Sequence, residues 1–148
     1  MENKPFQYVL GIDYGTDSCR ALVVNATTGE ERAVGVNEYP RWKQGLYCNP
    51  KLNQYRQHPL DYLDSLIGSV RQAIGQLSFE EINSIQGITI DTTGSTPAIV
   101  DEQGNPLALS DRYADNPDAM FILWKDHTAV KEAKQINQLI NDEHLNYN

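Results

Sequence analysis

Two stretches of this chain put acids and hydroxyls where phosphate chemistry could use them. In "GIDYGTDSCRALVVN" (residues 11–25) an apolar run ends on Asp13, passes Gly15, Thr16, Asp17 and Ser18, and resumes after Arg20. A carboxylate so placed either caps a turn by accepting backbone N–H bonds or stands at a sheet end where a cation can reach it. Its company suits the second use. Gly15 lets backbone approach a ligand closely, Thr16 and Ser18 offer hydroxyls and N–H groups, and Arg20 adds a positive fork on the returning strand. A carboxylate for Mg2+, a hairpin of N–H donors and a guanidinium are the parts of a polyphosphate site. The turn-capping reading stays open beside it. The second stretch, "INSIQGITIDTTGSTPA" (82–98), repeats the design: Asp91 closes an apolar run before a glycine-containing loop with Ser95 and Thr96. Hydroxyl-rich loops beyond a strand's carboxyl end suit a polyol, and they also make ordinary polar turns.

These residues need a scaffold, and the hydrophobic pattern outlines one. Three β-type runs, at about 8–13, 19–25 and 31–39, are joined by connections short enough for antiparallel neighbours. The segment "PRWKQGLYCNPKLNQYRQHP" (40–59) has no clear period and reads as an insertion over the surface. From Pro59, Leu60, Leu63, Ile67, Val70, Ile74 and Leu77 follow at spacings of three and four, which predicts a helix burying that face. Ser78 and Glu81 have capping-box spacing, and a buried strand ending at Asp91 follows. Residues 98–100 and 107–109 flank "DEQGNP" as a hairpin, "MFILW" (120–124) is a strand or a helix start, and a helix spans about 128–140. The order strand, strand, strand, helix, strand is not that of a doubly wound dinucleotide-binding domain. It predicts an α/β fold with a mixed, ribonuclease-H-like sheet and flanking helices.

Composition narrows the partners. The chain has 148 residues, 40% of them hydrophobic, and a formal charge of −8, with its twelve Lys and Arg residues scattered along the sequence. That argues for one domain and against nucleic acid or anionic lipid as partner. No run nears the roughly 18 apolar residues of a membrane span, and "MENKPFQ" lacks a signal core, so a cytoplasmic location is expected. Cys19 and Cys48 form no Cys-x-x-Cys pair and read as reduced thiols. His58, His127 and His144 lack zinc-type spacing, which favours structural or surface roles over ligation.

"DYGTDSCR" resembles the Asp-x-Gly-Thr-x-x-x-Arg phosphate hairpin that opens sugar kinases of the FGGY family, a branch of the actin-like ATPase superfamily. "YPRW" (39–42), "DTTGSTPA" (91–98) and "MFILWKDHTA" (120–129) narrow the likeness to the branch that phosphorylates the 5-hydroxyl of L-ribulose in arabinose catabolism. The resemblance implies a two-lobed enzyme holding Mg-ATP and sugar in its cleft. This chain would be the N-terminal portion of the first lobe, residues 1–148, with no second domain. It implies that Asp13 helps hold Mg2+ through water, and that Gly15, Thr16, Asp17, Ser18 and Arg20 face the ATP phosphates. Ser95, Thr96 and Ala98 would line the sugar pocket with Trp124 and Asp126, although Trp124 could equally be core. Arg41, Trp42 and Tyr113 are further candidates. The family's proton acceptor is an Asp in a later glycine-rich motif, so none of the acids here is assigned that role. An isolated chain of this kind is expected to fold, to be inactive alone, and to be open to self-association. Rival readings are another FGGY kinase, such as one acting on xylulose, or an actin-like module without catalysis.

Overall fold

A computed structural model describes residues 7–142. Strands β1 (Tyr8–Tyr14), β2 (Ser18–Asn25) and β3 (Glu31–Glu38) form an antiparallel meander. Short helix α1 (Pro40–Lys43), strands β4 (Cys48–Asn49) and β5 (Gln54–Gln57), and the long helix α2 (Pro59–Ile74) follow. Helix α3 (Phe79–Asn83) leads into β6 (Ile85–Thr92), which returns parallel to β1 and gives the order β3-β2-β1-β6. β7 (Phe121–Ile122) pairs with β5, and α4 (Val130–Asp142) ends the described chain. No helix among the described residues is long and apolar enough to cross a membrane. His144 lies outside the described residues.

The meander, the parallel return and the mixed sheet are as the sequence predicts. Ser78 and Glu81 close the capping box in both directions at the start of α3. Period-two burial splits the sheet into two faces. Tyr8, Leu10 and Ile12 of β1 and Cys19, Ala21 and Val23 of β2 form the core that α2 covers. Asp13 and Arg20 therefore lie on the opposite face.

Three expectations are corrected. The predicted apolar face of α2 is covered only in part: Val70 and Leu77 pack against the core, Leu63 and Ile67 are exposed, and the fully buried positions include Asp61, Ser65, Ser69 and Ala73. The cause is close approach. A Cβ at Gly35 of β3 would collide with the backbone of Ser69 and Ala73, so only small side chains fit that contact stripe. β6, expected to be buried, is an exposed sheet edge, with Ile88 at 68% and Ile90 at 61% exposure. The 40–58 segment is no surface insertion, because Arg56, Gln57 and His58 are buried and β5 builds a second small sheet. The expected hairpin at 98–109 closes through one bridge, Val100 to Pro106, and then turns into a 3-10 helix, Leu107–Leu109.

Candidate functional site

Strand register brings the charged groups together. Asp13 is opposite Arg20 across the antiparallel β1–β2 pair and opposite Asp91 across the parallel β1–β6 pair. With Gly11, Leu22 and Thr89 these three line a groove of about 250 Å³ on the sheet face away from α2. Gly11 keeps the floor of this groove low, since a Cβ there would meet Thr89 Cγ2 and Leu22 O only at 4.0 and 3.8 Å. Two carboxylates and a guanidinium at one strand end fit a hydrated divalent cation carrying phosphate.

Beside the groove, the 15–18 hairpin is held by its carbonyls. The Gly15 amide donates to Ser18 O (2.9 Å), closing the turn. Tyr39 Oη donates to Gly15 O (2.9 Å), Gln57 Nε2 to Thr16 O (2.7 Å) and the Tyr39 amide to Asp17 O (2.9 Å). In a trans peptide the N–H points away from the C=O of the same unit. Carbonyls turned toward Tyr39 and Gln57 thus direct the amides of Thr16, Asp17 and Ser18 the other way, as a row of donors suited to phosphate oxygens. Trp42 Nε1 holds the Asp17 side chain at 2.6 Å.

The brace has its own foundation. Asp61, fully buried, accepts the α1 amides of Arg41 (3.1 Å) and Trp42 (3.0 Å) and an ion pair from Arg41 at 2.9 Å. His58 caps α2 by accepting the Leu60 amide on Nδ1 (3.1 Å), so Nε2 carries the proton directed at Ala114 O (3.1 Å). Burial, reinforced by nearby Arg41, lowers its pKa and keeps it neutral. Tyr62 stacks on Tyr39 (4.9 Å) and Tyr14 (5.4 Å) and meets Phe121 edge-on at 4.7 Å. Burial pushes the Tyr62 hydroxyl up to about 12.

A second cavity, about 430 Å³, opens at the same end of the sheet on the α2 side. Thr92, Thr93, Thr96 and Ala98 form one wall, and Tyr14, Tyr62, Phe121 and Leu109 another. Thr96 and Ala98 are thus brought together. Ser95 belongs to the same loop, with a left-handed φ of 55°, and is exposed. Trp124 is 62% exposed and, like Asp126, is not among the lining residues. Asp126 accepts from the Tyr55 amide (2.7 Å), Arg56 Nε (2.8 Å) and the Thr128 amide and hydroxyl. Burial works to raise its pKa, and these bonds, led by Thr128 and Arg56, overcome it and hold the carboxyl well below the usual range. Lys125 Nζ sits 4.7 Å from the ring centres of both Trp42 and Tyr55, tying this segment to the hairpin's brace. Tyr113 packs beside Ala108, Ala119 and Met120.

Sequence reasoning noted Asp91 as a strand-ending acid without placing it in the site, and it missed Gln57, Tyr39 and Tyr62. Matching acids at the ends of two neighbouring apolar runs were the available signal for Asp91. For Gln57 there was none, because nothing local marks it as buried.

Comparison with known proteins places this arrangement among relatives. Residues 8–148 match a family model described as FGGY family of carbohydrate kinases, N-terminal domain. The chain is 50% identical over 133 residues to a ribulokinase of Vibrio parahaemolyticus, covering 90% of this chain and 24% of that protein. A ribulokinase of Halalkalibacterium halodurans is 38% identical over 138 residues, again 90% of this chain and 24% of that protein. One of Shouchella clausii is 34% identical over 143 residues, 92% and 25% respectively. The chain therefore spans about a quarter of the length of these curated relatives.

Proposed function

The chain belongs to the FGGY family of carbohydrate kinases, and on that premise we propose that it serves ATP-dependent phosphorylation of L-ribulose on its 5-hydroxyl. The reading rests on one observation above the others: Asp13, Arg20 and Asp91 share a groove beside a hairpin whose three carbonyls are tied back. Phosphoryl transfer asks mainly for positioning and charge stabilisation, and this end of the sheet offers both. Arg20 and the amides of Thr16, Asp17 and Ser18 bind phosphate oxygens, while Gly15 lets the backbone come close. Asp13, with Asp91 beside it, would hold a magnesium ion, which when bound would supply neutralisation of charge on the transferring phosphate.

The cavity walled by Thr96 and Ala98 takes the sugar, with Ser95 at its rim. Trp124 and Asp126 belong to the sugar side through their segment; Asp126 acts by fixing the rim formed with Arg56 and Thr128. Among the described residues no carboxylate or imidazole lines this cavity, and Tyr62 is far too weak an acid to ionise near neutrality. The proton of the sugar hydroxyl therefore passes to a group outside these lining residues. A cytoplasmic location suits a substrate set of ATP and free sugar.

The deciding experiment is a coupled ADP-release assay on the full-length protein as encoded, with Mg-ATP and L-ribulose, D-xylulose or glycerol in parallel. Turnover highest with L-ribulose is the expected result. Preference for another polyol overturns the substrate, and absence of sugar-dependent ADP release with all three overturns the kinase reading.

A further inference from the structure

A file of two hydrogen bonds runs through the interior from the larger cavity to the 15–18 hairpin. Tyr62 lines the larger cavity alongside Thr93. Tyr62 Oη donates to Gln57 Oε1 at 2.6 Å, and Gln57 Nε2 donates to Thr16 O at 2.7 Å. The direction of the file is forced by chemistry. Thr16 O can only accept, so the Gln57 amide must turn its NH2 there and its oxygen to Tyr62, which then must donate. Gln57 is 1% exposed, so water cannot replace either partner.

We infer that Gln57 is a positioning residue that couples occupancy of the larger cavity to the geometry of the 15–18 phosphate hairpin; this rests on the functional reading above. A polyol in the cavity lies against Thr93 and the Tyr62 ring. Contact with that ring bears on the Tyr62 hydroxyl, and the polarity of each bond in a file depends on the next. The last bond fixes the Thr16 peptide, whose own N–H belongs to Asp17 and faces the phosphate side. Tyr39, the other brace on the hairpin, stacks on the same Tyr62 ring, so ring movement reaches Gly15 as well. Sugar binding thereby sets the donor row before phosphate arrives, and each ligand favours the other by the same factor.

The test uses the full-length protein as encoded, wild type and Gln57→Met, which preserves length and removes both bonds. ATP affinity is titrated with and without saturating L-ribulose, and the Asp17 amide shift is followed by NMR on adding L-ribulose alone. In the wild type, sugar is expected to tighten ATP by about fivefold or more, the lower end of common coupling energies, and to move the Asp17 amide. In Gln57→Met the ratio falls to one and the amide stays still, although ATP still binds. Gln57→Glu, which keeps the acceptor for Tyr62 but sets an oxygen against Thr16 O, should lose the coupling too. A merely structural glutamine would lower the melting temperature and leave the ratio unchanged, and an unchanged ratio overturns the inference. So does a wild type in which sugar leaves ATP affinity unaltered. A wild type that binds neither ligand overturns the functional reading, and this one with it.

Discussion

Two strand ends, built alike in sequence, are finished differently. β1 and β6 each carry an aspartate as their last residue but one, in register with each other, and both continue through glycine and threonine. After β1, the hairpin has its three carbonyls tied back by Tyr39 and Gln57 and its Asp17 side chain held by Trp42. After β6, the 92–97 loop is anchored mainly at its edges, by the Thr93 amide on Tyr14 O (3.2 Å) and the Ile122 amide on Pro97 O (3.1 Å). On the proposed reading, phosphate offers the same oxygens in every substrate pair, so its cradle gains from being rigid before binding. A polyol pocket would have to fit one arrangement of hydroxyls, and an exposed loop can be re-shaped without disturbing the sheet.

The comparison breaks most visibly at Asp13, the acid proposed to hold the metal. Asp13→Ala in the full-length protein should lower kcat/KM on the order of a hundredfold or more, in line with losing one preorganised charge-stabilising group. Its melting temperature should hold, because Asp13 is exposed on the face away from α2. Steady-state assays and thermal melts together decide, and near-normal turnover removes the metal role.

Next in size is the foundation of the brace. Asp61→Ala leaves Arg41 without its buried partner and two α1 amides without an acceptor. The expected loss is about 3 kcal/mol, at the low end for a broken buried pair because Arg41 is partly solvated. Urea midpoints measure it. Ser95→Ala on the open loop should stay within about 0.5 kcal/mol. Equal losses at the two sites would erase the contrast drawn here.

Smaller still is a steric change on the proposed sugar side. Ala98→Leu should raise the sugar KM roughly tenfold, the scale set by a few methylenes in a pocket, and leave the ATP KM alone. Parallel loss for both substrates would mean that the two ends are not separable. The smallest effect is a pH dependence carried by His58. Its folded pKa lies below the ordinary 6.5, so the unfolded chain takes up the proton first as pH falls. Stability from this group is complete above pH 6.5 and declines below it. Melting temperatures at pH 7.5 and about 5.5 should differ more in the wild type than in His58→Asn, and identical slopes would discharge His58 from that role.

Much of this architecture could be read from the sequence because local signals and tertiary demands agree. The short connections "DYGTD" and "ATTGE" allow little besides a meander, and the Ser78/Glu81 pair forms its capping box as spacing requires. Legibility failed where tertiary proximity overrode the pattern. On α2, hydrophobic spacing points to Leu63 and Ile67, but the approach of Gly35 brings β3 against Ser69 and Ala73, and the buried Asp61 is held by Arg41 and the Trp42 amide. The apolar side of α2 and β6 instead lines an open groove of about 520 Å³ with Leu66, Ile67, Ile88 and Ile90. Arg56, Gln57 and His58 are polar by type and buried in fact, since each finds partners from segments far away in sequence. The hairpin's residues were legible as a set; the inward hold on its carbonyls was not.

Arg56 carries a consequence for the order in which the molecule assembles. Its guanidinium gathers Pro117 O, Asp118, Asp126 and Thr128, partners 61 to 72 residues further along the chain. The meander of β1 to β3 needs only tight turns, whereas this hub exists only after a long excursion of chain has been closed, at a cost in entropy that local hairpins avoid. Folding should therefore run from sheet to rim, and native-state opening should run in reverse. In hydrogen exchange, the Tyr55 amide, whose acceptor Asp126 is fixed by that hub, should exchange well before the amide of Val23 in the central strands.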